Sequence, residues 1–251
     1  MPEFGAIIIG DEILSGKRQD KHFAKVIDVL TQRGLELAWA EYLGDDPQRI
    51  TATLKRSFAT DSIVFSFGGI GATPDDHTRQ CAAAAAGVQL FRHPDAVKEI
   101  EEHFGKDAYP KRILMAEFPE GSKTIPNPFN RIPGFSLRQH YFLPGFPEMA
   151  WPMMEAVLDT VYPHLQHQVV QAEEIIVVPE IPESEIIDAM NSVLAQFDGV
   201  KVSSLPRFTP TGREVELSVR GKPEQVPAGM TVIKNAITAL GYAFAEKTKN
   251  I

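Results

Sequence analysis

The chain has 251 residues, 43% of them hydrophobic, which is ordinary globular composition and gives length for one large domain or two smaller ones. Its net charge of −8 at pH 7 lacks the broad positive field that nucleic acid requires. A single cysteine, Cys81, excludes an internal disulfide and suits a reducing compartment. The first residues have no basic, then apolar, leader, and no stretch is apolar for long enough to span a bilayer, so a cytoplasmic protein without membrane contact is expected.

The segment Gly5–Gly10 is a short apolar run ending in glycine, as in a buried strand. Phe23, Val26, Ile27 and Leu30 then recur at helical spacing, and Gly34 ends that helix. A second strand is predicted at Leu35–Leu43, then a helix opened by Pro47 with Ile50, Leu54 and Phe58 on its apolar side. Ser62–Phe67 reads as a third buried strand and runs into Gly68-Gly69-Ile70-Gly71. Helices are expected from about Pro74 to Ala86 and from Pro94 to Phe104. This alternation is that of a doubly wound, mostly parallel sheet in a three-layer α/β domain.

Prolines crowd the stretch from Pro119 to Pro152, which therefore cannot be mostly helix. Within it, Gln139–Leu143 reads as a strand leading into Pro144-Gly145-Phe146-Pro147. Pro147 then opens a helix whose Met149, Met153 and Met154 suit core filling. A boundary is placed near Leu165–Gln171, dividing residues 1–168 from a small α+β domain at 172–251. The small domain is expected to run strand (Glu174–Val178), helix (Pro182–Phe197), strand (Val200–Leu205), turn (Thr211-Gly212), strand (Val215–Val219), helix (Gln225–Leu240). That order can be likened to an RNA-binding KH fold, but the domain lacks the GXXG clamp and is acidic, which favours a structural or interface role.

Ligands of open parallel sheets bind beyond the carboxyl ends of the strands. Each of the first three strands ends in a loop with two acids: Asp11 and Glu12, Asp45 and Asp46, Asp75 and Asp76. Six carboxylates at one sheet edge would repel one another, and a divalent cation bridging carboxylate and phosphate is the simplest relief. Gly68, Gly69 and Gly71 allow close approach of backbone amides to a ligand, although the loop is neither GxGxxG nor GxxxxGK[ST]. Thr73-Pro74-Asp75-Asp76 also reads as an ordinary helix start, with Thr73 as cap and acids in the first turn. His77, next to Asp76, offers a proton donor, although a lone histidine on a helix is more often incidental, and His164 and His167, without partnering ligands, read as surface residues rather than a metal pair.

Taken in order, GDEILSG, GDD, GGIGATPDDHT, the stretch from Asn127 to Phe135 and LPGFPEM resemble the CinA/molybdopterin-binding family. The likeness covers the whole first domain, and the small domain resembles the one that follows it in CinA proteins. A further amidohydrolase domain carried by many CinA proteins is expected to be absent, so NMN deamidation is not implied.

The resemblance implies a pterin or nucleotide ligand, with molybdopterin one candidate, and self-association into a homo-oligomer. It implies two activities: metal-dependent pyrophosphatase action on ADP-ribose with Mg, Mn or Co, or adenylyl transfer to molybdopterin. A third reading is a ligand-binding module without catalysis. Asp76 and Asp45 would be catalytic, and Asp11, Glu12, Asp46 and Asp75 would hold metal. Ligand contacts are expected from Gly10, Ser15, Gly68, Gly69, Gly71, Thr73, Thr78, Asn127, Gly134, Pro144 and Gly145. Three departures from the family pattern matter. Ala72 stands where proline is usual after the glycines, and DTN reads Asp20-Lys21-His22. The usual NxxGxAPG reads Asn127 to Gly134 with bulkier residues, Asn130 and Ile132, inside it.

Overall fold

A computed structural model of the chain describes residues 2–168, 171–210 and 212–247; Thr211 of the predicted turn lies outside them. Two compact units are formed, residues 1–167 and 168–251.

In the first unit, β1 (Phe4–Ile9) leads through a single helical turn, α1 (Asp11–Leu14), to α2 (His22–Gln32) and β2 (Leu37–Leu43). Then come α3 (Pro47–Ser57), β3 (Ile63–Phe67) and α4 (Thr78–Ala86). The run β4 (Leu90–Arg92), α5 (Pro94–Phe104), β5 (Glu117–Pro119), β6 (Lys123–Ile125), β7 (Gly134–Leu137), β8 (His140–Leu143) and α6 (Pro147–Val161) completes it. Six strands form one sheet in the order β2-β1-β3-β8-β7-β6. The first four are mutually parallel, with Ile7 opposite Ser66 and Phe65 opposite Tyr141, and the last two add antiparallel. The mostly parallel α/β architecture is therefore present, and β4 pairs with β5 in a separate small ribbon.

Side-chain alternation along β1 makes the three layers. Phe4, Ala6 and Ile8 pack with Val26, Leu30 and Met153 from α2 and α6. Ile7 and Ile9 pack with Ile50, Cys81 and Ile100 from α3, α4 and α5 on the other face. A strand buried on both faces has no polar side, which is why β1 reads as continuous apolar sequence. Met153 and Met154 are core, as their spacing predicts. Phe23 and Ile27 are not: both are about two-fifths exposed, and α2 buries His22, Val26, Val29 and Leu30 instead.

The second unit runs β9 (Ala172–Pro179), α7 (Ile187–Gln196), β10 (Lys201–Thr209), β11 (Gly212–Gly221), α8 (Val226–Ala239) and β12 (Ala245–Lys247). Its antiparallel sheet has the order β10-β11-β9-β12. Val193, Met230 and Ile233 fill the core against Ile176, Leu217 and Val219. The helix predicted from Pro182 starts later, because Glu183–Glu185 form a separate 3-10 turn before α7.

One buried histidine makes stability depend on pH. His140 is wholly buried, its Nε2 2.8 Å from the Ser57 hydroxyl and its Nδ1 2.8 Å from the Arg138 carbonyl. Burial lowers its pKa from 6.5 to about 4. The unfolded chain therefore binds this proton at a higher pH than the folded one, and stability falls as pH drops from 6.5 towards 4. The expected loss is about 3 kcal/mol. Urea unfolding at pH 7.5 and pH 4.5 measures it, with His140→Phe expected to flatten the difference.

Candidate functional site

Because β1, β2, β3 and β8 are parallel, the loops after them share one edge of the sheet. The first two are locked together: the Asp11 amide donates to Asp45 Oδ2 at 2.9 Å, and the Asp45 amide donates to Asp11 Oδ1 at 3.2 Å. The Gly10 amide adds a bond to the Leu43 carbonyl at 3.0 Å. Asp11, Glu12, Ser15, Lys17, Asp45 and Asp75 line a shallow hollow of about 650 Å³. Burial pushes the Asp45 carboxyl above its ordinary range; the Asp11 amide opposes this, while Asp11, Glu12 and Asp75 add repulsion.

These acids do not fit a divalent ion. Asp11 and Asp45 each spend an oxygen on the other's amide, and Glu12 faces Arg18 at 3.8 Å. Asp46 caps α3, accepting from the Gln48 and Arg49 amides at 2.8 and 3.2 Å. Among the described residues, no three His, Cys, Asp or Glu side chains are grouped so as to hold a metal. The convergence of six carboxylates expected from sequence resolves into four around the hollow, one helix cap and one residue in a separate cleft.

That residue is Asp76. The predicted helix start at Thr73 is not the real one: α4 begins at Thr78. Thr78 takes this place because its amide donates to the Gly69 carbonyl at 2.9 Å and its hydroxyl to the Gly68 carbonyl at 3.0 Å. Both bonds fold the glycine loop back onto the helix. Asp76 instead closes a turn, its Oδ2 accepting from the Thr73 amide at 2.9 Å and hydroxyl at 2.5 Å. Gly68 has φ +100, and a Cβ there would stand 2.3 Å from the Ile9 carbonyl oxygen, so β1 and the loop meet only through glycine.

Arg79 pins the far end of this loop. It is 2% exposed, with Nη2 donating to the Gly71 carbonyl at 2.5 Å and Nη1 to the carbonyls of Leu114 and Glu117. Burial lowers its pKa, opposed by Glu117 and Asp76. One guanidinium thus ties the glycine loop to the segment carrying Met115.

The opposite wall is the stretch from Asn127 to Gly134. Buried Asn127 holds it closed: Nδ2 donates to Asn130 Oδ1 at 2.8 Å and the Ile132 carbonyl at 3.0 Å, while Oδ1 accepts from the Phe129 amide at 3.0 Å. Gly134 serves packing, since a Cβ there would lie 2.4 Å from the Phe142 carbonyl oxygen. Between the walls lies a cleft of about 380 Å³. It brings together Gly69, Gly71, Thr73, Asp76, Asn127, Pro144 and Gly145 of the predicted residues. Ile70, Ile132, Met115 and Met149 make most of its surface apolar.

Gly145 and Phe146 also border a second compartment of about 330 Å³ beside β1 and the start of α2. Its wall includes Glu12, Arg18, Asp20, His22, Phe67 and Glu148. His22 stacks on Phe67 at 4.5 Å between centroids, and its Nε2 lies 3.3 Å from the Gly145 carbonyl. Asp20 anchors the start of α2 by accepting from the His22 and Phe23 amides, and from the Tyr42 hydroxyl at 2.7 Å.

Sequence reasoning missed Arg79, Asn130, Ile132, Met115 and Met149 as site residues. Arg79 sits in an alanine-rich helix where nothing local signals burial. Asn130 and Ile132 were visible as departures in a motif, without a sign of which way they face.

Comparison with known proteins agrees with this architecture. A protein of Caldivirga maquilingensis is 31% identical over 246 residues, which cover 93% of each chain. A CinA-like protein of Anaeromyxobacter sp. (strain K) is 31% identical over 194 residues, 74% of this chain but 47% of that protein. The crystal structure of the protein CinA from Thermoplasma acidophilum is 28% identical and superposes with a TM-score of 0.58, covering 63% of this chain and 97% of that one. Residues 5–167 match the family model described as "Probable molybdopterin binding domain". With that match spanning the whole α/β unit, the chain belongs to the CinA-like molybdopterin-binding domain family.

Proposed function

We propose that the cleft between the glycine loop and the Asn127–Gly134 wall binds a small molecule with a planar heterocycle and a phosphate, of pterin or nucleotide type. One observation carries the reading: a glycine loop fixed in place by Thr78 and Arg79 shares a cleft with a largely apolar lining, in which Thr73, Asp76, Asn127 and Asn130 are the polar side chains. The loop's backbone amides suit phosphate oxygens. The ring would lie against Ile132 and Met149, with Asp76 accepting from its N–H groups.

The test is calorimetric titration with molybdopterin and with ADP-ribose on one preparation. Asp76→Asn is expected to weaken whichever binds by about tenfold, through loss of a charge-assisted bond. Its stability should change by less than about 1 kcal/mol, because the amide oxygen still accepts from Thr73. Unchanged affinity would remove Asp76 from the site.

Adenylyl transfer to molybdopterin stays compatible with the same cleft. Metal-dependent hydrolysis is a separate outcome of the test, read as AMP released from ADP-ribose with Mg, Mn or Co. Self-association belongs to the same proposal and is read by sedimentation at the titration concentrations.

A further inference from the structure

The wall of the cleft carries a side chain suited to reading the edge of a ligand. Asn130 is half-buried in the lining, and its amide cannot turn over. The Ile132 backbone amide, which can only donate, lies 3.0 Å from Asn130 Oδ1. Asn127 Nδ2 donates to the same oxygen at 2.8 Å, and Asn127 is itself oriented by the Phe129 amide on its Oδ1. The other end of Asn130 is therefore the NH2 group. Among the described residues that group donates to the Met149 sulfur at 3.5 Å, a weak acceptor that leaves most of its donor capacity unused. The backbone beside it is fastened too. The Arg131 amide donates to the Asn127 carbonyl at 3.1 Å, and its guanidinium pairs with Glu99 at 2.9 Å and Glu102 at 3.5 Å on the outer side of the wall. Asn130 thus presents a donor whose position is set before any ligand arrives.

Asp76 supplies the complement. Thr73 engages its Oδ2, which leaves Oδ1 as the acceptor towards a ligand. One fixed donor and one carboxylate acceptor match a ring edge on which an N–H stands beside a carbonyl oxygen. This lactam edge is common to oxopurines and oxopyrimidines. Adenine presents the reverse, an exocyclic amine beside a bare ring nitrogen. Two properties favour the lactam. Its ring N–H is the more acidic donor and bonds a carboxylate more strongly. Its exocyclic oxygen stands out from the ring with two lone pairs, within reach of a donor tethered to the wall.

We infer that Asn130 is a specificity-determining residue of this cleft: it selects a phosphate-bearing heterocycle with a lactam edge by donating to the carbonyl oxygen, while Asp76 accepts from the adjacent ring N–H. The inference rests on the function proposed above and narrows its ligand class. It belongs to this chain's own departure from the family pattern, which has glycine at this position and so no side-chain donor there.

The experiment compares ADP with inosine diphosphate, which share sugar and phosphates and differ only on this edge, by calorimetry at pH 7.5. The wild-type protein is expected to bind the inosine nucleotide about tenfold more tightly, the effect of one well-made hydrogen bond. Asn130→Asp keeps an oxygen for Asn127 and Ile132 but turns the donor into an acceptor, so the preference should reverse towards ADP. Asn130→Gly removes the donor and should bring the ratio close to one. A purely structural role would lower both affinities together and leave their ratio unchanged. UDP separates the two sources of the edge: affinity above that of ADP supports oxopyrimidines as well, and affinity no better than that of ADP supports oxopurines alone. Equal affinities for ADP and inosine diphosphate in the wild type would overturn the inference, as would a preference for the inosine nucleotide that survives in either variant. Failure of the wild type to bind any of the three probes would overturn the proposed cleft as well, whereas binding without preference overturns the role of Asn130 alone.

Discussion

Replacing Arg79 with methionine is expected to destabilise the α/β unit by about 3–5 kcal/mol, since several buried carbonyls lose their donor at about 1–3 kcal/mol each. The guanidinium serves the carbonyls of Gly71, Leu114 and Glu117, which belong to three separate segments. Methionine fills the volume and leaves all three carbonyls without that donor. For a unit of this size the melting temperature should fall by on the order of 10 °C. Arg79→Lys should recover little, because one ammonium cannot reproduce a planar fork bonded in several directions. A thermal melt of the three proteins checks this. Near-wild-type melting of Arg79→Met would mean that the glycine loop and the Met115 segment hold their places without it.

The second large effect is expected at Gly68. Its φ of +100 is a region that alanine adopts only under strain, and an added Cβ would sit 2.3 Å from a backbone oxygen of β1. Backbone cannot swing aside as a flexible side chain can. Gly68→Ala should therefore cost about 3 kcal/mol and displace the loop that carries Gly69 to Gly71. Gly87→Ala serves as control: it also has positive φ (+73) but no atom within 4 Å of the added Cβ, so its cost should stay near 1 kcal/mol. Urea unfolding of both variants gives the comparison, and equal losses would show that the contact with Ile9 is unimportant.

Much of the parallel core is legible in sequence, for identifiable reasons. Pro47, Pro94 and Pro147 each stand at the first position of a helix, so α3, α5 and α6 begin where proline predicts. β1 and β3 are buried on both faces and read as almost wholly apolar runs, with Ser66 the one polar residue of β3. The short central strands escape because β4, β5 and β6 are three residues each, too short to display a period of two. β12 escapes for the same reason.

The candidate site divides along a similar line. Glycines and prolines declare themselves, because few other residues satisfy their backbone roles. The acids were read as one cluster because each follows a strand, yet a shift of one residue separates Asp45, locked to Asp11, from Asp46, which caps α3. The Thr73–Asp76 stretch carries every local mark of a helix start. It loses that role through bonds from Thr78 to Gly68 and Gly69, ten and nine residues earlier. Capping preference is local, and here a loop closure of longer range decides.

The central claim is a location: ligand held between the glycine loop and the Asn127–Gly134 wall. The most direct measurement is a nuclear magnetic resonance titration of backbone amides with ADP-ribose. The account predicts perturbed amides at Gly69, Ile70, Gly71, Thr73, Asn130, Ile132 and Gly145. Perturbations confined to Asp11, Glu12, Ser15, Asp45 and Asp75, with the glycine loop unmoved, would contradict it and place the ligand in the acidic hollow.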